Sequence, residues 1–354
     1  MIYLDYQATT PLAPEARAAM LPWLSAEGSA NPHSAHASGR AARAAVEIAR
    51  EQVAALLPPG GKVWFTSGAT EAANWALRGV GPGGIVTLPT EHACVRDTAI
   101  WMGQRNLDAI FLPVGPDGLV TSTDIPKGTR IVAVMLVNNE IGVVQPIAEL
   151  AVRAHDAGAL FFCDAVQGYG RVAIPDACDL VAISAHKIHG PKGIGALWVR
   201  DGIDLEPLVF GGGQEGGIRS GTLSPALCAG FGTAAALMKP DTRHVETLWT
   251  RALSHIPDWH INGSTEQRYH GNLNIRRDGL DAARLISELR SVAFSAGSAC
   301  ASGSGRPSHV LKAIGLSDAQ ARSSIRLGFG RYTTEADIDE AMTLITAAAD
   351  RQFA

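Results

Sequence analysis

The chain has 354 residues, with 30 basic against 34 acidic side chains for a net charge of −4, and a mean hydropathy of +0.08. That length corresponds to about two domains and is enough to bury a core without disulfide or metal staples. The longest unbroken apolar run, residues 131–137, is far short of a membrane span. The N-terminus shows no basic patch leading into an apolar stretch, and no block of like charge favours nucleic acid or an anionic membrane.

In chain order, the first strong pattern is a helix over residues 39–57, with Val46, Ala49, Val53 and Leu56 at helical spacing and Pro58-Pro59 closing it. Short apolar runs at 63–65, 85–88, 131–136, 160–162, 180–183 and 196–199 read as buried strands, with helical stretches such as 147–156 between several of them. Continuous apolar strands alternating with helices predict an α/β unit, a mostly parallel sheet covered on both faces. After about residue 240 the texture changes to helix 245–256, strand 272–275, helix 281–289, strand 292–294, an alternating strand 324–329 and a closing helix 335–349. This predicts a smaller α+β unit.

Residues 79–84 match G-x-G-x-x-G but precede a strand instead of following one, so they read as a turn. His33/His36 and His186/His189 lack a metal-binding context, and no metal site is expected. The five cysteines (Cys94, Cys163, Cys178, Cys228, Cys300) are odd in number and scattered without a C-x-x-C pair. That spacing excludes a disulfide framework and points to a reducing, cytoplasmic compartment.

Five local patterns carry chemistry, four of them bearing on one cofactor. Residues 65–71 place small residues and a hydroxyl between a strand end and a helix start, where free N–H groups cradle phosphate. Asp164 and Gln167 directly follow a buried strand, at the end of a parallel sheet where ligands bind. A carboxylate there keeps a heteroaromatic nitrogen protonated. Lys187, between Ser184-Ala185-His186 and Ile188-His189, also follows a buried strand and suits a Schiff-base amine, whereas Lys192 reads as a solvated loop lysine. Arg326 alternates with Ile325 and Leu327 and so projects from the opposite face, suited to a carboxylate. Each signal alone is weak: such turns are common, an aspartate is equally a helix cap, and an arginine is equally a surface ion pair. Together, in this order, they describe pyridoxal phosphate with an amino-acid substrate. Cys300 sits within a loop of Gly, Ala and Ser that offers it no apolar shelter, and reads as a reactive thiol; the other four read as structural.

The segments 3–11, 31–36, 66–71, 91–92, 138–142, 164–167, 184–195, 219–222, 297–300 and 323–326 together give the chain a close resemblance to the cysteine desulfurases of the NifS and IscS type, in the class V aminotransferase group. The resemblance implies the pyridoxal-phosphate-dependent transferase fold type I (aspartate-aminotransferase-like) and a homodimer. The large domain, 12–240, would carry a mostly parallel seven-stranded sheet. Residues 1–11 and 241–354 would form the small domain with the cysteine loop. Lys187 would bond the cofactor and move the substrate Cα proton. Ala69, Thr70, Ser184 and His186 would hold the phosphate, and Thr222 would reach the phosphate of the other subunit. Asp164 would pair with the ring nitrogen, Gln167 would face the ring hydroxyl, and His92 would stack on the ring and relay protons. Asn139, beside the cofactor, and Arg326 would hold the substrate carboxylate. Cys300 would take the sulfur of L-cysteine as a persulfide, releasing L-alanine, for iron–sulfur cluster assembly or other sulfur-transfer pathways. Cys300 would also be the residue to share a cluster with a scaffold protein.

Two departures stand out. The family often reads Gly-Gly-Gly-Gln-Glu-Arg before Arg219-Ser220-Gly221-Thr222, and here Gly216 replaces that arginine. The chain ends at Ala354, 28 residues past Arg326, so the scaffold-docking extension of IscS-type enzymes is expected to be missing. Other class V reactions, selenocysteine lysis or transamination, are the alternatives.

Overall fold

The computed structural model describes residues 1–105, 107–239, 242–296 and 307–354. The chain enters through β1 (Ile2–Tyr3) and then builds a sheet from β2 (Gly61–Thr66), β3 (Gly84–Thr87), β4 (Ala109–Phe111), β5 (Thr129–Met135), β6 (Leu160–Asp164), β7 (Leu180–Ser184) and β8 (Gly195–Arg200). Their order is β2-β8-β7-β6-β5-β3-β4. All neighbours run parallel except β8, which is antiparallel to β2 and β7. The β7–β8 connection is only residues 185–194, too short for the crossover that a parallel pair requires, so the chain folds straight back.

Alternation along the strands explains why both faces are buried. Val132, Val134, Phe161, Cys163, Val181 and Ile183 face one core, with Val46, Ala49 and Val53 of α2 (Ala37–Ala54) and Leu150 of α5 (Ile147–Asp156). The same core takes Ala16 of α1 (Pro14–Met20) and Phe231 of α6 (Pro225–Ala236). Ile131, Ala133, Phe162, Leu180 and Ala182 face the other, against α3 (Ala69–Gly79) and α4 (Ala93–Gly103). The strand β4 was not legible as an apolar run: it is a three-residue edge strand whose middle residue, Ile110, is exposed.

A separate core forms where Val245, Leu248 and Trp249 of α7 (Thr242–Ser254) meet Leu285 of α8 (Ala282–Glu288) and Ile338, Met342 and Ile345 of α11 (Glu335–Asp350). These pack on a second sheet in which β9 (His260–Ile261), β10 (Asn272–Arg276), β12 (Ser295–Ala296) and β13 (Ser324–Gly328) run in the order β12-β13-β10-β9. The N-terminus joins this unit, since β1 pairs with β11 (Val292–Ala293) and Leu4 is buried in its core. Two short helices, α9 (His309–Ala313) and α10 (Asp318–Arg322), precede β13. The alternation of β13 is real, yet every residue in it is buried, because the face carrying Arg326 is covered too. Within 79–84, residues 80–83 form the turn from α3 into β3. No described helix is long and apolar enough to cross a membrane.

Candidate active site

A cavity of about 550 Å³ opens at the carboxyl ends of the parallel strands, where a ligand site is expected in an open α/β sheet. Lys187, His92, Ala69, Thr70, Asn139, Asp164, Gln167, Ser184, His186 and Arg326 all line it. Thr222 is exposed and does not line this cavity. Cys300 lies outside the described residues.

The phosphate-type cradle is made where β2 ends and α3 begins. Gly68 precedes α3, so Ala69 and Thr70 present backbone N–H groups without helical partners to the cavity. The Ser67 N–H donates to Glu71 Oε2 at 2.8 Å, and Arg219 grips the Glu71 carboxylate with two bonds of 2.7 and 3.0 Å. The neighbouring strand must come very close: a Cβ on Gly195 would stand 2.8 Å from Gly68 Cα and 2.6 Å from the Ile183 carbonyl. Across the cradle, burial first and the cations Lys187 and Lys192 second push the His186 imidazole down to about 4, so it is neutral at pH 7. Lys192 itself is exposed at the mouth, as expected of a solvated loop residue.

Asp164 ends β6 with 4% of its surface exposed, and its Oδ1 accepts the Val166 N–H at 3.0 Å. Burial raises its pKa above the ordinary carboxylate value, while His92, the Val166 amide and Lys187 pull it back. A buried carboxyl facing a cavity favours a cationic N–H there. Lys187 follows β7 in a single tight turn, residues 185–187, and its Nζ donates to the carbonyls of Gln7 at 2.5 Å and Ala8 at 2.8 Å. The Gln7 carbonyl also accepts Gln167 Nε2 at 3.0 Å, so one N-terminal residue ties two cavity side chains together.

On the far wall, Asn138 builds the turn that presents Asn139. Its Nδ2 donates to the Thr90 carbonyl at 2.8 Å and its Oδ1 accepts the N–H groups of Glu140 and Ile141. Arg326, 1% exposed, donates from Nη1 to the Asn139 carbonyl at 3.0 Å and from Nη2 to Asp5 at 2.9 Å. Two buried polar atoms are left without a described partner here, Asn139 Oδ1 and Arg326 Nε. Unpaired buried polar atoms beside a cavity call for a polar ligand, and a guanidinium among them calls for an anion. Among the described residues no three His, Cys, Asp or Glu side chains are grouped to hold a metal ion.

Sequence reasoning missed four contributors, Asp5, Gln7, Ala8 and Cys94. Gln7 and Asp5 lie in an irregular segment that carries no periodic signal. Cys94 read as structural, yet it lines the cavity with its Sγ 3.0 Å from His92 Nδ1. Its position two residues after His92, at a helix start, was the available clue.

The family described as aminotransferase class-V matches residues 2–341. The chain is 42% identical, over 375 aligned positions, to a protein of Rickettsia typhi named cysteine desulfurase IscS, covering 99% of this chain and 91% of that one. It is 43% identical, with the same coverage, to the protein of that name from Rickettsia bellii. Among solved structures, one named a NifS-like protein superposes with a TM-score of 0.89 at 28% identity, over 99% of this chain and 98% of that one. A structure described as SspA in complex with cysteine superposes with a TM-score of 0.84 at 33% identity, over 94% of this chain and 100% of that one.

Proposed function

The chain belongs to the aminotransferase class-V family, among its cysteine desulfurases, and from that premise we propose that it converts L-cysteine to L-alanine with pyridoxal phosphate and passes the sulfur to Cys300. The observation that carries this reading is the joint placement of Lys187, Asp164, the α3 N-terminus and Arg326 around one cavity.

The residues present fit pyridoxal phosphate. Free N–H groups of Ala69 and Thr70, with Ser184 and neutral His186, suit its phosphate; the buried Asp164 carboxyl suits its ring nitrogen; Gln167 suits its ring hydroxyl. When bound, the cofactor supplies a carbonyl for an amino group and a ring that withdraws electrons from the bonds around Cα. Asp164 would keep the ring nitrogen protonated, and that cationic nitrogen would favour ionisation of a carboxyl that burial raises. Lys187 would hold the cofactor through its amine and would carry the Cα proton on Nζ. The Gln7 and Ala8 carbonyls fix where that atom rests. His92 lines the same cavity and would lie against the ring, offering a proton-bearing nitrogen. Arg326 would orient the substrate carboxylate through its unsatisfied Nε–H, and Asn139 would meet that carboxylate through its Nδ2 amide, leaving Asn139 Oδ1 to accept from a donor. Cys300, as thiolate, would attack the substrate sulfur, forming the S–S bond as the Cβ–S bond breaks; the electron pair stays with the substrate carbon, which takes up a proton on the way to alanine.

The same reading makes the protein a homodimer of two-domain subunits, 12–240 large and 1–11 with 241–354 small. Exposed Thr222 then serves the phosphate of the other subunit's site. The persulfide passes to an acceptor protein such as an iron–sulfur scaffold, in a reducing cytoplasmic compartment that suits the free thiols of Cys94, Cys163, Cys178 and Cys228. The test is turnover of L-cysteine against L-selenocysteine and against amino donors with a 2-oxo acid acceptor. Alanine formed from cysteine without a 2-oxo acid supports desulfuration; turnover that requires the 2-oxo acid would make the protein a transaminase.

A further inference from the structure

Cys94 and His92 form a pair whose roles are fixed by geometry. The backbone N–H of Cys94 donates to His92 Nδ1 at 3.2 Å, capping α4, and the Cys94 Sγ stands 3.0 Å from the same nitrogen. An amide N–H can only donate, so Nδ1 is the acceptor and the neutral ring carries its proton on Nε2. The thiol that meets the same lone pair must then be a donor as well. His36 caps α2 in the same way, accepting the Gly39 N–H at 3.2 Å, but has no thiol on its ring and does not line the cavity. The added thiol donor is thus found on the histidine that faces the cavity.

We propose that Cys94 is a positioning residue for His92, holding the ring in the Nε2–H form so that it meets the reaction as a hydrogen-bond donor and leaves proton abstraction to Lys187. The inference rests on the cofactor and substrate reading given above. Burial pushes the Cys94 thiol up, against the opposing pull of its bond to His92, so the thiol keeps its proton at neutral pH and stays a donor. A base at His92 would need its Nε2 lone pair free, which requires the proton on Nδ1, the loss of the Cys94 amide bond and a thiol contact reversed so that the sulfur accepts. The thiol therefore biases one nitrogen of one ring, and nothing in this role asks Cys94 to carry sulfur.

The test is the ring-nitrogen NMR of the holoprotein labelled with ¹⁵N-histidine, with His92→Gln identifying the His92 signals. Wild type is expected to show the Nε2–H form. Cys94→Ala keeps the backbone amide, and is expected to move His92 toward a mixture of the two forms and to lower kcat for alanine formation by about three- to tenfold at unchanged KM. Cys94→Ser, which restores a donor, is expected to return both readouts toward wild type. A wild-type His92 with its proton on Nδ1, or signals unmoved in Cys94→Ala, would overturn the proposal. If wild type makes no alanine while the NMR result stands, the function assigned to the cavity fails and the positioning role does not.

Discussion

Arg326 and Asp5, 321 residues apart in sequence, meet through Nη2 and Oδ1 at 2.9 Å, with the guanidinium 1% exposed. The same carboxylate oxygen accepts the Ser295 hydroxyl at 2.8 Å. One N-terminal carboxylate therefore neutralises the buried cation that faces the cavity and holds β12 beside it. Taking away one member of such a pair strands a charge, which costs more than the pair contributes.

Asp5→Ala is accordingly expected to destabilise the protein by roughly 3 kcal/mol, and Asp5→Asn, which keeps an acceptor, by about half of that. Urea unfolding checks the order of the two. Because Arg326 loses its fixed orientation, the KM for cysteine should rise in both variants more than kcat falls. Equal stability of Asp5→Ala and wild type would show that the pair does not hold Arg326.

Replacing Asp164 by Asn should leave pyridoxal phosphate bound, since the phosphate cradle is untouched, while kcat falls on the order of 10²-fold. An amide cannot keep a ring nitrogen protonated. Cofactor content by absorbance, measured beside turnover, separates the two effects; loss of cofactor in parallel with activity would make Asp164 an anchor only.

His189 gives a pH signature. Burial lowers its pKa from 6.5 to about 4, against the raising effect of its bond to the Pro11 carbonyl at 2.9 Å. Between those values the unfolded chain binds the proton and the folded chain does not, so stability rises with pH there. Stability that is full above pH 6.5 should therefore fall on acidification toward pH 4, by up to about 3 kcal/mol from this residue. Unfolding midpoints from pH 7 to pH 4.5 should slope less steeply in His189→Gln; an unchanged slope would remove His189 as the cause. His186, lowered to about 4 as well, adds to the same trend.

Gly216 stands where the resemblance leads one to expect an arginine, and its backbone bears on whether an arginine fits there. Its φ is +67°, next to Glu215 at +49°, whose carboxylate is gripped by Arg50 at 2.7 and 2.8 Å and by the Phe65 N–H at 2.9 Å. A Cβ at 216 would meet Trp64 at an ordinary 3.5 Å, so space is not the obstacle. Gly216→Arg should cost roughly 1 kcal/mol from the left-handed backbone alone. A thermal midpoint that rises in this variant would show that the added guanidinium finds a partner that outweighs the strain.

Much of the fold and of the site is legible in the sequence alone. The apolar strands of the large sheet stood out because both faces are buried, so Phe161, Phe162, Val181 and Ile183 form unbroken runs. Asp164 and Lys187 could be placed because each directly follows such a run. The antiparallel sense of β8 was not legible, since an apolar strand reads the same in both directions; only the short 185–194 return decides it. The parts of the site that close over Lys187 were hidden for a different reason. Gln7 and Ala8 contribute backbone carbonyls, and a carbonyl leaves no mark in a sequence. The contact of Cys94 with His92 was not legible, because a thiol near a helix start is ordinarily packing and the shared Nδ1 shows only in the fold.

The most direct measurement is anaerobic incubation of the purified holoprotein with L-cysteine and a reductant, quantifying alanine and sulfide together, with Cys300→Ser and Lys187→Ala alongside. Equal yields of alanine and sulfide are expected from wild type, with a 32 Da adduct on the Cys300 peptide when reductant is withheld. Neither product is expected from either variant. Alanine and sulfide from Cys300→Ser at the wild-type rate would contradict sulfur transfer through Cys300, and no alanine from wild type would contradict the reaction itself.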